Sequence, residues 1–174
     1  MDTILTIMTF VTNGNGVGPG HSALAFDDTV YSFEAWGDWF NSHSGWITLN
    51  YDDYVAKNAW RPIILQTLST KVNPPKSRSY IQRSMAADDD YGPSGVCSSQ
   101  VASAVDAGLT FSFDPDGIDT PYGLYWKARR AGLVLAENII WEDQTSMTTL
   151  QWASIVNKLN FEYPQIAKRL EVHR

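Results

Sequence analysis

Gly20-His21-Ser22-Ala23-Leu24-Ala25-Phe26-Asp27-Asp28-Thr29-Val30-Tyr31-Ser32-Phe33-Glu34 reads as two alternating runs about a short acidic turn. That pattern predicts a β-hairpin. A two-residue turn at Asp27-Asp28 sets Phe26 opposite Thr29, Ala23 opposite Ser32 and His21 opposite Glu34. A slip of one residue would break every one of these pairs and turn the side chains to the other face.

Before the hairpin, Ile4 to Val11 alternates β-branched residues with Thr and predicts a further strand. The stretch from Thr12 to Gly20 holds four glycines and a proline and predicts a loop. No Gly-Lys-Ser/Thr follows it and a strand comes next, so the glycines do not form a phosphate loop. After the hairpin, Ala35 to Trp46 is aromatic and glycine-rich. It reads as a loop whose Trp36, Trp39 and Trp46 line a substrate groove. Asn50 to Asn58 predicts a short helix, Trp60 to Leu68 a strand, Asn73 to Lys76 a connector, and Ser77 to Ala87 a helix.

From Tyr91 to Val96 the chain reads as a turn. Cys97-Ser98-Ser99-Gln100-Val101 then opens a helical run that stops at Gly108. A helix from Thr120-Pro121 toward Arg130, a strand over Leu133 to Trp141, and one helix or two broken at Pro164 complete the expectation. The result is an α+β chain, 1–174, read as a single domain, with an antiparallel sheet packed against the helix that carries the cysteine.

The 174 residues carry a formal net charge of −6, with 44% hydrophobic and 18% charged residues. This is a globular balance, long enough to bury a core without staples. The acidic charge argues against nucleic acid and against anionic membrane surfaces as partners. The single cysteine excludes an intrachain disulfide and a thiolate metal cluster, and no metal or cofactor is expected. No run approaches the length of a membrane-spanning helix. The start of the chain lacks the basic region of a secretory signal, so synthesis in the cytoplasm without a signal peptide is expected, and any export would use a signal-independent route.

A cysteine in the first turn of a helix meets the helix dipole and free backbone amides, both of which favour thiolate and offer a place for an oxyanion. On position alone, a packed structural thiol is the commoner fate. His21, after a glycine loop, can serve as a base, and Glu34 opposite it can orient the ring, with Ser32 as the weaker alternative.

The two motifs, Gly20-His21-Ser22-Ala23-Leu24 in a hairpin and Val96-Cys97-Ser98-Ser99-Gln100-Val101 opening a helix that ends Ala107-Gly108, resemble the papain-like cysteine peptidases of NlpC type. The histidine precedes the cysteine, which is the order of the circularly permuted branch. Tyr91 and the segment Thr120-Pro121-Tyr122-Gly123-Leu124-Tyr125 are also similar to that branch, whereas Val96 stands where a polar residue is common.

The resemblance, over roughly residues 4 to 130, implies a thiol hydrolase of amide or ester bonds. Cys97 would be its nucleophile and His21 its base, with Glu34 as orienter by register, and Tyr91 and Ser98 near the oxyanion. Expected substrates are cell-wall peptides, as for an antibacterial effector with an immunity protein and a secretion apparatus as partners. A lipid acyltransferase or phospholipase is the alternative, and a non-catalytic binding module the rival from another class.

Overall fold

The computed structural model describes residues 3–13, 16, 18–36, 43–87, 97–113, 119–142, 145 and 147–170. Its centre is β1 (Leu5–Phe10), flanked on one side by β2 (His21–Phe26) and β3 (Thr29–Trp36), then β4 (His43–Asn50). On the other side lie β5 (Ile63–Leu68) and β6 (Val134–Ile140). The spatial order is β4-β3-β2-β1-β5-β6, with every neighbour antiparallel.

Among the described residues six helices accompany this sheet: α1 (Tyr51–Asn58), α2 (Pro74–Ala87), α3 (Cys97–Ala107), α4 (Pro121–Arg130), α5 (Thr149–Glu162) and α6 (Pro164–Arg169). The architecture is α+β, as the sequence predicts. Among the described residues no helix is long and apolar enough to cross a membrane.

β1 is buried on both sides, which explains its nearly unbroken apolar run. Leu5 and Ile7 face a layer shared by Leu24 and Phe26 of β2, Ile81 of α2, Val101, Ala104 and Val105 of α3, and Leu124 of α4. Met8 and Phe10 face the opposite layer, with Ala23, Ala25, Val30, Ile63 and Tyr54 of α1. Each such buried side chain contributes about 1.5–3 kcal/mol on leaving water, so the alternation along β1 and β2 fixes which way each residue points. A third cluster packs Tyr125 of α4 against Ile155, Leu159, Tyr163 and Ile166 of α5 and the α5–α6 junction.

The hairpin register is the expected one: Phe26 pairs with Thr29 and Ala23 with Ser32. The turn works because Asp27 takes a left-handed φ of 53° while its carboxylate accepts from the Ile4 amide at 2.8 Å.

Two sequence expectations need correction. The second half of the stretch from Ala35 to Trp46 is not a loop: β4 starts at His43 and pairs along β3, Glu34 opposite Gly45 and Phe33 opposite Trp46. Residues 37–42 lie outside the described residues. The connector at Asn73 to Lys76 is the start of α2, with the Asn73 side chain accepting from the Lys76 amide at 3.0 Å and prolines in the first turn, where no amide donor is needed. The C-terminal stretch takes the two-helix alternative, with Pro164 opening α6.

Gly20 sets the entry to β2. Its φ is +89°, and a Cβ there would run into the carbonyl of Phe10 on β1. Gly132 also has a positive φ, of +64°, but open space where a Cβ would stand. Gly132→Ala is therefore expected to cost about 1–2 kcal/mol of unfolding free energy, the strain of a left-handed L-residue. Gly20→Ala should cost at least about 2 kcal/mol, because strain and collision with backbone add. Equal denaturation midpoints for the two variants would remove Gly20 from this role.

Candidate active site

His21 and Glu34 arrive from neighbouring strands. His21 shares the alternation of Ala23 and Ala25, on the α1 side of the sheet, and Ser32 and Glu34 share that of Val30 on β3. α3 packs on the other side, with its first residue, Cys97, at the end where β2 begins. There the thiol is within hydrogen-bonding reach of the His21 ring and of the backbone amides of Ser22 and Ser98. Cys97 is 8% exposed.

The polar network fixes the tautomer of His21. Its Nε2 lies 2.7 Å from Ser32 Oγ and 3.3 Å from Glu34 Oε1. Ser32 Oγ donates to Glu34 Oε1 at 2.6 Å, so its lone pairs are left to accept from His21 Nε2–H. Tyr54 of α1 donates its hydroxyl to the same carboxylate oxygen at 3.1 Å. With Nε2 carrying a proton into this acceptor pair, Nδ1 is the nitrogen free to exchange a proton with the thiol. The Phe10 ring tilts against the imidazole at 5.6 Å and closes its inner side.

Burial disfavours charge on His21, but hydrogen bonds to Cys97 and Glu34 and their negative charges outweigh it, and its pKa is pushed up to about 9. Burial also pushes against a carboxylate at Glu34. The imidazolium, Ser32 and Tyr54 prevail, and its pKa falls to about 2. For Cys97, burial would raise the thiol, yet the His21 hydrogen bond and charge bring it below its ordinary value. These shifts draw Cys97 toward thiolate and His21 toward imidazolium, with the Glu34 carboxylate behind them.

A cleft of about 640 Å³ opens beside this network, bordered by His21, Glu34, Tyr54, Asn13, Lys57 and Arg61.

The predicted residues divide. Cys97, His21 and Glu34 come together, and Ser32 sits between the last two rather than replacing Glu34. The hydroxyl of Ser98 donates to the carbonyl of Asp119, tying α3 to the start of α4, so only the Ser98 amide faces the thiol. Trp46 is not part of a groove wall. It is 5% exposed, edge-on to Phe33 at 5.6 Å, with its indole donating to Ser84 of α2. Tyr91, Trp39 and the side chain of Trp36 lie outside the described residues.

Sequence reasoning missed Tyr54, which reaches Glu34 only because α1 folds back over β3 and β4. Among the described residues no cluster of His, Cys, Asp and Glu could hold a metal ion. The chain matches no protein-family model, no curated protein and no solved structure.

Two measurements check the electrostatics. The rate of Cys97 alkylation by iodoacetamide should rise through a midpoint below the ordinary thiol value of ~8.5. In His21→Ala the midpoint should move upward, since burial is then opposed only by the Ser22 and Ser98 amides. An unchanged profile in His21→Ala would refute the pair.

Glu34 has a folded-state pKa below its unfolded one, so its ionised form stabilises the protein above about pH 4.5, the ordinary carboxylate value, and loses that contribution as pH falls toward about 2. The stability gap between wild type and Glu34→Gln, read by denaturant titration, should therefore be widest near neutrality and close over that acid range.

Proposed function

We propose that this protein is a cysteine hydrolase that cleaves an amide or ester bond through an acyl-thioenzyme, in a papain-like arrangement with permuted order. The observation that carries the reading is the single hydrogen-bonded chain from a helix-start thiol through His21 to Glu34. A packed structural cysteine needs neither an imidazole nor a carboxylate behind it.

In this reading the Cys97 thiolate adds to the substrate carbonyl carbon, and the carbonyl π pair becomes an oxyanion facing backbone amides of the first turn of α3. Collapse of that intermediate breaks the bond to the leaving group, which takes the Nδ1 proton of His21. The products are a Cys97 thioester and a free amine or alcohol. His21, now neutral, draws a proton from water as the water adds to the thioester. Expulsion of the thiolate gives the carboxylic acid and restores the ion pair. Glu34, with Ser32 and Tyr54, acts as a positioning group that keeps Nε2 protonated and holds the ring in plane with the thiol.

The substrate class favoured is the peptide part of bacterial cell wall. Amides and charges from Asn50, Asp53, Lys57, Asn58 and Arg61 border the cleft, against Ile47 and Leu49 as its aliphatic residues. This lining suits a peptide better than an acyl chain. A hydrolase of cell-wall peptides made by a bacterium fits an antibacterial effector, held in check in the producing cell by a protein that covers the cleft.

Mass spectrometry of purified cell wall and of lipid extracts, each incubated with wild type and with Cys97→Ala, tests the reading. New peptide termini with wild type and none with Cys97→Ala are expected, with a stability change in the variant of about 1 kcal/mol or less. Glu34→Gln should slow turnover by about ten- to a thousandfold, and Ser32→Ala less than Glu34→Gln. The pH profile should fall on its alkaline side near 9, as His21 loses the proton owed to the leaving group. Release of fatty acid instead of peptide would reassign the substrate, and no product from either, with an unreactive thiol, would leave a binding module.

A further inference from the structure

We infer that the cleft beside His21 is a carboxylate site, so that the substrate or product portion held there is an amino acid or peptide with a free carboxylate. This rests on the hydrolase reading for its place in the reaction, though the anion site itself rests on the geometry alone.

Three observations lead to it. His21 and Glu34 are both walls of this cleft, so whatever binds there lies beside the polar network behind the thiol. Farther along, the cleft meets Arg61, whose residue is only 6% exposed. Its guanidinium donates to the Thr12 carbonyl and, at 2.6 Å, to Asn58 Oδ1, and it lies over the Phe10 and Trp60 rings at 4.8 and 5.5 Å. These are neutral partners. Among the described residues no carboxylate comes within ion-pair distance of Arg61, and its Nε has no hydrogen-bond partner. A buried cation without a counter-charge is costly, and an anionic ligand would offset that cost.

The third observation is Lys57, one helical turn earlier on α1, exposed and without an ion pair among the described residues. Asp53 stands a further turn back but does not pair with it. With Glu34 committed to His21, the lining charges are Asp53 against Lys57 and Arg61, which leaves one positive charge over. One carboxylate balances it. Arg61 has spent its Nη donors within the fold, so it supplies field, and Lys57 supplies the direct contact.

The test uses the Cys97→Ala protein, in which binding is separated from chemistry, and follows backbone amide resonances during titration with alanyl-alanine or with its C-terminal amide. Alanyl-alanine should give saturable shifts along α1 and β4, and the amide none. Lys57→Gln should weaken alanyl-alanine about two- to fivefold, as for an exposed ion pair, and Lys57→Glu more. Affinity should fall as salt is added. Equal behaviour of the two dipeptides, indifference to Lys57→Gln, or no saturable shift would overturn the inference.

Inorganic phosphate binding the same residues more tightly than alanyl-alanine would also overturn the carboxylate assignment, in favour of a phosphate-bearing ligand. Cleavage of cell-wall peptides by wild type without any such binding would sink this inference and leave the hydrolase reading standing. Binding with an inert Cys97 would do the reverse.

Discussion

The antiparallel register of β2 between β1 and β3 is the constraint on which the candidate site depends. Phe10 pairs with His21 on one side, and Ala23 pairs with Ser32 on the other. A one-residue slip would place His21 among the α3-facing residues and Leu24 on the α1 side, exchanging a layer of large side chains for alanines. Such a slip forfeits several buried apolar groups at about 1.5–3 kcal/mol each. The hydrophobic layers on both faces therefore hold the imidazole in register. The Asp27 turn and the Gly20 entry fix the two ends of the strand that carries it.

Given that register, the polar groups have little freedom. Ser32 and Glu34 are two residues apart on one strand and so share a face, and both meet Nε2. The hydroxyl of Ser32 does two jobs in one place: it accepts from the ring and donates to Glu34. This gives the carboxylate a second donor besides Tyr54 and keeps it ionised in spite of burial. A carboxylate held this firmly favours imidazolium, and imidazolium in turn favours thiolate. The three groups titrate as one unit, and their order of protonation follows from burial opposed by hydrogen bonds rather than from any single residue.

The hairpin was legible because its alternation, its acidic turn and its length agree on one register, and the helix at Cys97 because Gly108 ends a run of helical spacing. The pairing of His21 with Glu34 followed from the hairpin register, whereas bringing Cys97 to them rested on the chemistry a nucleophilic thiol needs and on the resemblance. β4 was not legible. Its approach is rich in aromatics and glycine, and tryptophan in such a stretch reads as surface, yet Trp46 alternates inward against Phe33 and finds Ser84 on a helix 38 residues away for its indole N–H. Tyr54 was hidden for a related reason. Nothing local says that α1 returns over the strand pair, and its contact with Glu34 spans 20 residues of chain. Side-chain partners set by packing between elements leave no periodic trace, whereas partners set by strand register do.

Two arginine environments in the same chain show why Arg61 stands apart. Glu137 on β6 receives Arg129 of α4 at 2.8 Å and Arg169 of α6 at 2.8 Å, and also accepts from Gln66 of β5. Cations and carboxylate compensate one another, and the cluster braces α4 and α6 against the far edge of the sheet. Arg61 is more deeply buried than either of those arginines, yet among the described residues it meets a carbonyl, an amide oxygen and two ring faces, none of them charged. Burial pulls its pKa down, and the nearest opposing field comes from Tyr54 and Glu34. A carboxylate in place of Asn58 would neutralise it at no steric cost, but it would lose the bond that the Asn58 amide donates to the Tyr54 carbonyl at 2.8 Å. The amide instead leaves the positive field unspent at the end of the cleft that begins at His21. The same amide thus does two things at once: its nitrogen ties the end of α1 to Tyr54, and its uncharged oxygen leaves Arg61 without a carboxylate among the described residues.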